Sequence, residues 1–109
     1  MPFVDTNELD VWERRPGWRG RTFRSDNMSF SHWDFAAGSS IHPHHHPNEE
    51  VWYVIAGELE MTVDGVTRRA GPGTVAIVPL DALHEVRALS DGRALVASHP
   101  IREDAPPTR

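Results

Sequence analysis

The sequence predicts an all-β protein, a single sandwich or barrel assembled from short antiparallel strands. Three observations carry that expectation. Hydropathy alternates with period two along most of the chain, and turn residues interrupt it at short, regular intervals. Nothing after Trp12 shows the 3.6-residue period of an amphipathic helix.

Taken in order, the segment from Thr6 to Trp12 predicts at most one helical turn. Residues 1–20 are expected to form a solvated N-terminal arm. Its basic cluster (Arg14, Arg15, Arg19, Arg21 and Arg24) is interrupted by Pro16, Gly17 and Gly20, so no continuous basic face emerges. Strands are expected at 28–35, 51–55, 74–78, 84–88 and 93–98. In Glu58-Leu59-Glu60-Met61-Thr62-Val63, alternate residues Leu59, Met61 and Val63 would face a core. Asp64-Gly65 is a strong two-residue hairpin signal, and Val66-Thr67-Arg68-Arg69 would return antiparallel. Ala36-Ala37-Gly38, Ala56-Gly57, Ala70-Gly71-Pro72-Gly73, Pro79 to Ala82, and Ser90-Asp91-Gly92 supply the turns. The organisation expected is one domain over 1–109, with its core at about 21–104 and a disordered tail at 105–109.

Composition narrows the function. With no cysteine in 109 residues, a disulfide framework, a thiolate metal site and a thiol nucleophile are all excluded. A net charge of −5 argues against a nucleic-acid partner. The N-terminal residues have neither a basic n-region nor an apolar h-region. No apolar run approaches the roughly 20 residues of a membrane span. A cytoplasmic protein without a membrane partner is the resulting expectation.

Seven histidines stand out, four of them within Ile41-His42-Pro43-His44-His45-His46-Pro47. On an extended segment His44 and His46 point to one face and His45 to the other. Glu50 shares the parity of His44 and His46 and opens the apolar run Val51-Trp52-Tyr53-Val54-Ile55. Two imidazoles and a carboxylate converging this way form the facial arrangement of non-haem metal sites. His84, after the turn that follows Pro79, is the candidate for a fourth ligand from a distant strand. His42 and His45 read as loop or surface residues, and His99, before Pro100, as structural. His32 shares the parity of Met28 and Phe30 and is a candidate to line the cavity. Trp52 and Val54 share the face of Glu50, and Val86 and Ala88 that of His84. Trp52 fits either substrate stacking or core packing.

The residues Gly38, His44, His46, Glu50 and Gly57 resemble the first motif of the cupin superfamily at every spacing. Gly73, Pro79 and His84 resemble the second, with Asp81 in place of its second glycine and Ala88 in place of its asparagine. The resemblance implies a double-stranded β-helix, or jelly-roll, barrel. It also implies one divalent metal ion on His44, His46, Glu50 and His84, with Fe, Mn, Ni, Zn, Co or Cu all compatible. From Met28 to Asp104 the chain is similar to small single-domain cupins that linearise unsaturated uronates in pectin degradation. Tyr53-Val54, Gly57-Glu58-Leu59-Glu60 and Pro100-Ile101-Arg102-Glu103-Asp104 carry that likeness. Those enzymes have Gln at the position of Glu50, and Asp and Phe at the positions of Val96 and Ser98. Arg102 matches the family's arginine, as a binder of a substrate carboxylate or as a surface residue. Small cupins that cyclise polyketides are similar in size.

Such a ligand set leaves about two cis positions open on an octahedral ion, whereas a structural zinc site is closed and tetrahedral. The leading expectation is a metal-dependent, non-redox isomerase, lyase or cyclase acting on a small carbonyl or enolisable molecule. A metal-dependent dioxygenase and a ligand-binding module without turnover are the alternatives. Arg102, Trp52 and His32 are the candidate catalytic residues. The resemblance implies a homodimer, formed by exchange or pairing of the N-terminal segment 3–12.

Overall fold

The alternation seen in the sequence closes into two facing sheets in a computed structural model, which describes residues 2–102. A single 3-10 turn, Thr6–Glu8, is capped by Asp5, whose carboxylate accepts from the Asn7 amide at 2.9 Å. Ten strands follow: β1 Trp12–Arg15, β2 Trp18–Arg24, β3 Ser29–Phe35, β4 Ser40–His44 and β5 Glu49–Ala56. Next come β6 Leu59–Val63, β7 Val66–Ala70, β8 Val75–Val78, β9 His84–Ala88 and β10 Gly92–His99. One sheet has the order β1-β2-β3-β10-β5-β8 and the other β4-β9-β6-β7. Strands β3 to β10 thus divide four and four between two antiparallel sheets, the pattern of a jelly roll. No helix among the described residues is long and apolar enough to cross a membrane.

The predicted strands are all present, with bounds moved by a residue or two. Val63 faces Val66 across Asp64-Gly65, and both turn residues have positive φ, as a tight hairpin requires. Along β5 the burial alternates without exception from Glu49 to Ile55, sending Glu50, Trp52 and Val54 inward. On β9, His84, Val86 and Ala88 point inward in the same way.

The N-terminal expectation needs correction. Residues 12–24 are not a solvated arm but a hairpin, β1 and β2, that extends the six-stranded sheet beside β3. Its Trp18 is 1% exposed and packs edge-on against Trp33 and Trp52. Gly20 belongs to this packing, because a Cβ there would lie 2.5 Å from the Trp33 ring. On β2 the arginines Arg19 and Arg21 alternate with the buried Trp18, Gly20 and Thr22, and they disguised a strand whose alternate positions are core. The tail expected at 105–109 lies outside the described residues.

Candidate metal centre

His44 and His84 are cross-strand partners on β4 and β9, with ring centroids 4.1 Å apart. A register shift between Ile41 and His44 lets both side chains point inward although they are three residues apart. His46 sits on the loop between β4 and β5, its ring 5.0 Å from that of His84. That loop is fixed by its own backbone: the His46 carbonyl accepts from the Asn48 and Asp81 amides. The Asn48 side chain in turn donates to the Pro100 carbonyl at 2.6 Å. Asp81, which replaces the motif glycine, has φ 60, so the turn keeps the left-handed conformation that aspartate tolerates better than most residues. Potential ligand atoms of His44, His46 and His84 all lie within 4.8 Å of one another.

Protonation follows from hydrogen bonds. His44 Nδ1 faces the His42 carbonyl at 2.8 Å, and His84 Nδ1 faces the Ala82 carbonyl at 2.8 Å. A carbonyl only accepts, so each Nδ1 carries the proton and each neutral ring turns an Nε2 lone pair toward the centre. Burial favours that neutral form: it pushes His44 down to about 4 and lowers His84 as well. His84 Nε2 and both nitrogens of His46 are buried with no hydrogen-bond partner among the described residues. Two buried rings, His46 and His84, with unpartnered nitrogens beside the half-buried His44, all with ligand atoms within 4.8 Å of one another, fit a divalent cation.

Glu50 stands at the same centre in a different state. Its Oε1 lies 3.5 Å from His46 Nε2 and 3.7 Å from His84 Nε2. Trp52 Nε1 donates to Oε1 at 3.2 Å, while Ser98 Oγ and Arg102 donate to Oε2 at 2.8 and 3.0 Å. Burial alone would raise this carboxyl. The close His46 ring, the Ser98 hydroxyl and the Arg102 guanidinium outweigh it and hold Glu50 at about 2. The carboxylate is therefore ionised and fixed in direction.

The centre opens into a cavity of about 120 Å³ between the sheets, with His44 and Glu50 in its wall. Val96 and Ser98 also line it, so the positions held by Asp and Phe in the uronate-linearising enzymes carry no titratable group here. All four tryptophans of the chain, Trp12, Trp18, Trp33 and Trp52, face this cavity.

The sequence candidates divide accordingly. Trp52 is both cavity wall and donor to Glu50, joining its two expected roles. Arg102 is neither a surface residue nor an isolated cation, since it pairs with Glu50. His32 is a correction: on β3 the cavity is lined by Ser29, Ser31 and Trp33, so the parity of Met28 and Phe30 faces outward. There His32 lies 3.9 Å from Asp34, its ring pKa lowered by burial and by Arg93. His42 and His45 are on the exposed side, contacting Arg15 and Asp81 respectively. Sequence reasoning gave no role to Ser98 or to β1. Inward parity with Ala94 and Val96 was the available signal for Ser98, and Trp12-x-x-Arg15 offered none.

The chain matches the Cupin domain family over residues 31–99. It is 35% identical over 63 residues to the polyketide synthase CurC of Streptomyces cyaneus, covering 57% of this chain and 41% of that protein. It is likewise 35% identical over 69 residues to the dimethylsulfoniopropionate lyase DddQ of Ruegeria pomeroyi, covering 62% and 34%. The chain thus spans less than half the length of these relatives. Among solved structures, KdgF from Halomonas sp. superposes with a TM-score of 0.87 at 26% identity, covering 94% of this chain and 96% of that one.

Proposed function

This chain belongs to the cupin family, and on that premise we propose that it is a metal-dependent, non-redox enzyme. Its reaction would be an isomerisation, elimination or cyclisation of a small carbonyl or enolisable compound such as a sugar acid. His44, His46 and His84 would hold the ion, with Glu50 as the fourth ligand. The observation that carries this reading is the set of buried imidazole nitrogens without partners, turned toward one point in the wall of an open cavity. A divalent ion bound there supplies Lewis acidity, polarising a carbonyl or lowering the pKa of a bound water toward about 7.

The residues around the centre have distinct roles on this reading. Glu50, held at about 2, is too weak a base to shuttle protons near neutrality, so its role is to anchor charge and direction. Ser98, Arg102 and Trp52 position it through three hydrogen bonds. Four indoles line the wall, and an apolar wall strengthens electrostatic contacts beside it. Relatives named as a lyase and as a polyketide synthase point toward chemistry without net oxidation. A cavity of about 120 Å³ is below the roughly 300–1,000 Å³ of drug-sized pockets, favouring a small acid over a multi-ring polyketide.

The test is turnover without oxygen. Protein reconstituted with zinc, manganese or cobalt is incubated anaerobically with unsaturated uronates and small β-keto acids, and products are followed by NMR. Isomerised or eliminated product under these conditions supports the proposal. Product that appears only with matching oxygen uptake would replace it with a dioxygenase.

A further inference from the structure

The two outer faces of the sandwich differ in what they offer to water. On the four-stranded sheet, β6, β7 and β9 turn polar residues outward. Glu60 faces Arg69 and Arg87 across the ladders, and Thr62 faces Thr67, their hydroxyls bonding at 2.8 Å. That is the ordinary solvated face of an antiparallel sheet. The six-stranded sheet presents the opposite. Its register sets Phe23, Phe30, Ala97, Val51 and Ile77 side by side across five strands, from β2 to β8. One step along the strands, Leu95, Tyr53 and Val75 form a second apolar row. Tyr53 is 48% exposed and Ile77 62%, so these rows are open in the single chain. We propose that this face is the interface of a homodimer, a second copy packing on it sheet to sheet with the two-fold axis along β10.

Area, self-complementarity and the rest of the chain all favour a second copy. With strands about 4.8 Å apart and a rise of about 3.3 Å per residue, five strands over the length of Glu49 to Ile55 frame roughly 550 Å². Two such faces in contact remove roughly 1,100 Å², past the ~1,000 Å² that a specific interface should clear. β10 is the middle strand of the five, and Ala97, the smallest residue of the first row, lies on it. Phe23 and Phe30 stand on one side of Ala97, and Val51 and Ile77 on the other. A half-turn about β10 therefore lays the aromatic pair of one copy on the aliphatic pair of its partner. Leu95 and Ala97 then meet their own counterparts, as an isologous contact requires. The charged corner, where Asp34 accepts from Arg93 at 2.9 Å and pairs with Arg21 at 3.4 Å, borders the apolar rows as a polar rim. The chain supplies no cover of its own. Phe3 is 85% exposed rather than packed on the sheet, and residues 103–109 contain no large apolar side chain.

Light scattering on the full chain at micromolar concentration should give twice the 12.3 kDa of one chain. The double variant Y53D/L95R should return the mass of one chain, with circular dichroism unchanged. Self-association should weaken by at least about 100-fold, as expected when central anchors of an interface are lost. Thr62→Arg, which places a charge on the opposite outer face, should remain dimeric. A second measurement does not depend on disrupting the face. The chain has no cysteine, so a single introduced one reports without background. Facing sheets lie about 10 Å apart, too far for a direct disulfide, so a short bis-maleimide is the probe. Ala97→Cys should cross-link into dimers many times faster than Thr62→Cys. A monomeric native chain would overturn the proposal and leave the face to a different partner. A folded Y53D/L95R that stays dimeric would overturn it as well. Cross-linking through Val11→Cys and not through Ala97→Cys would do the same, moving the contact to the N-terminal segment.

Discussion

The two halves of the candidate centre come from different sheets and meet their surroundings differently. His44 and His84 stand on the four-stranded sheet, where hydrogen bonds satisfy each Nδ1 and the Nε2 of His84 is buried without a hydrogen-bond partner among the described residues. Glu50 stands on the six-stranded sheet, and both of its oxygens already accept from Trp52, Ser98 and Arg102. One half could take a cation, and the other already has a donor to each carboxylate oxygen. On the proposed reading the histidines govern whether an ion binds, while the carboxylate and its donors govern how the centre is charged and aimed.

That contrast is easiest to break on the histidine side. His84→Ala removes a ring that is 1% exposed and central to the trio. Metal should fall from about one ion per chain to near none by elemental analysis, a larger loss than the roughly 10–100-fold typical of outer-shell changes. Retention of the ion in this variant would dissolve the distinction. On the carboxylate side, Arg102→Met keeps every proposed ligand and removes one donor from Glu50. Metal affinity measured by competition with a chelator should weaken by about 10-fold or somewhat more, with the stoichiometry intact.

Acid should act on the halves in sequence. For His44 and His84 the folded pKa lies below the unfolded value, so the unfolded chain takes up protons first as pH falls. Metal-free protein should lose stability from about pH 6.5 down to about 4, the value to which His44 is lowered. Glu50 is also lowered, to about 2, so its stabilising contribution is present above the unfolded carboxylate pKa and lost as pH falls further toward 2. Thermal melts of the metal-free protein between pH 7 and 3 should therefore decline without a plateau, and a flat profile from 6.5 to 4.5 would contradict the burial of neutral rings. The smallest effect expected is that of Ser98→Ala, which deletes one hydroxyl donor and should cost about 1–2 kcal/mol in urea unfolding.

How much of this was legible depended on what each element needed as a partner. His44, His46 and Glu50 lie within seven residues, and their parity alone announces a common face. His84 was a candidate by its place after the Pro79 turn, and the family resemblance strengthened it, because no local pattern says that β9 will pair with β4. The hairpin was the failure: Arg14-Arg15-Pro16-Gly17 looks solvated, yet Trp18, Gly20 and Thr22 alternate inward against β3. Charged residues at every second position hide a strand, whose identity is decided by the strand it joins. His32 was misplaced for a related reason. Parity gives two faces but not which is inside, and Phe30, taken as inward, stacks on Phe23 outside with ring centroids 5.0 Å apart. Arg102 matched a motif, but only the folded chain shows its charge committed to Glu50.

The bond between Arg15 and His42 has a mechanical consequence. It joins an edge strand of one sheet to β4 of the other, beside the residue that begins the histidine trio. Backbone ladders run within each sheet and not between them. The width of the entrance is therefore set by side chains at its lip, and β1 can act as a sprung clasp.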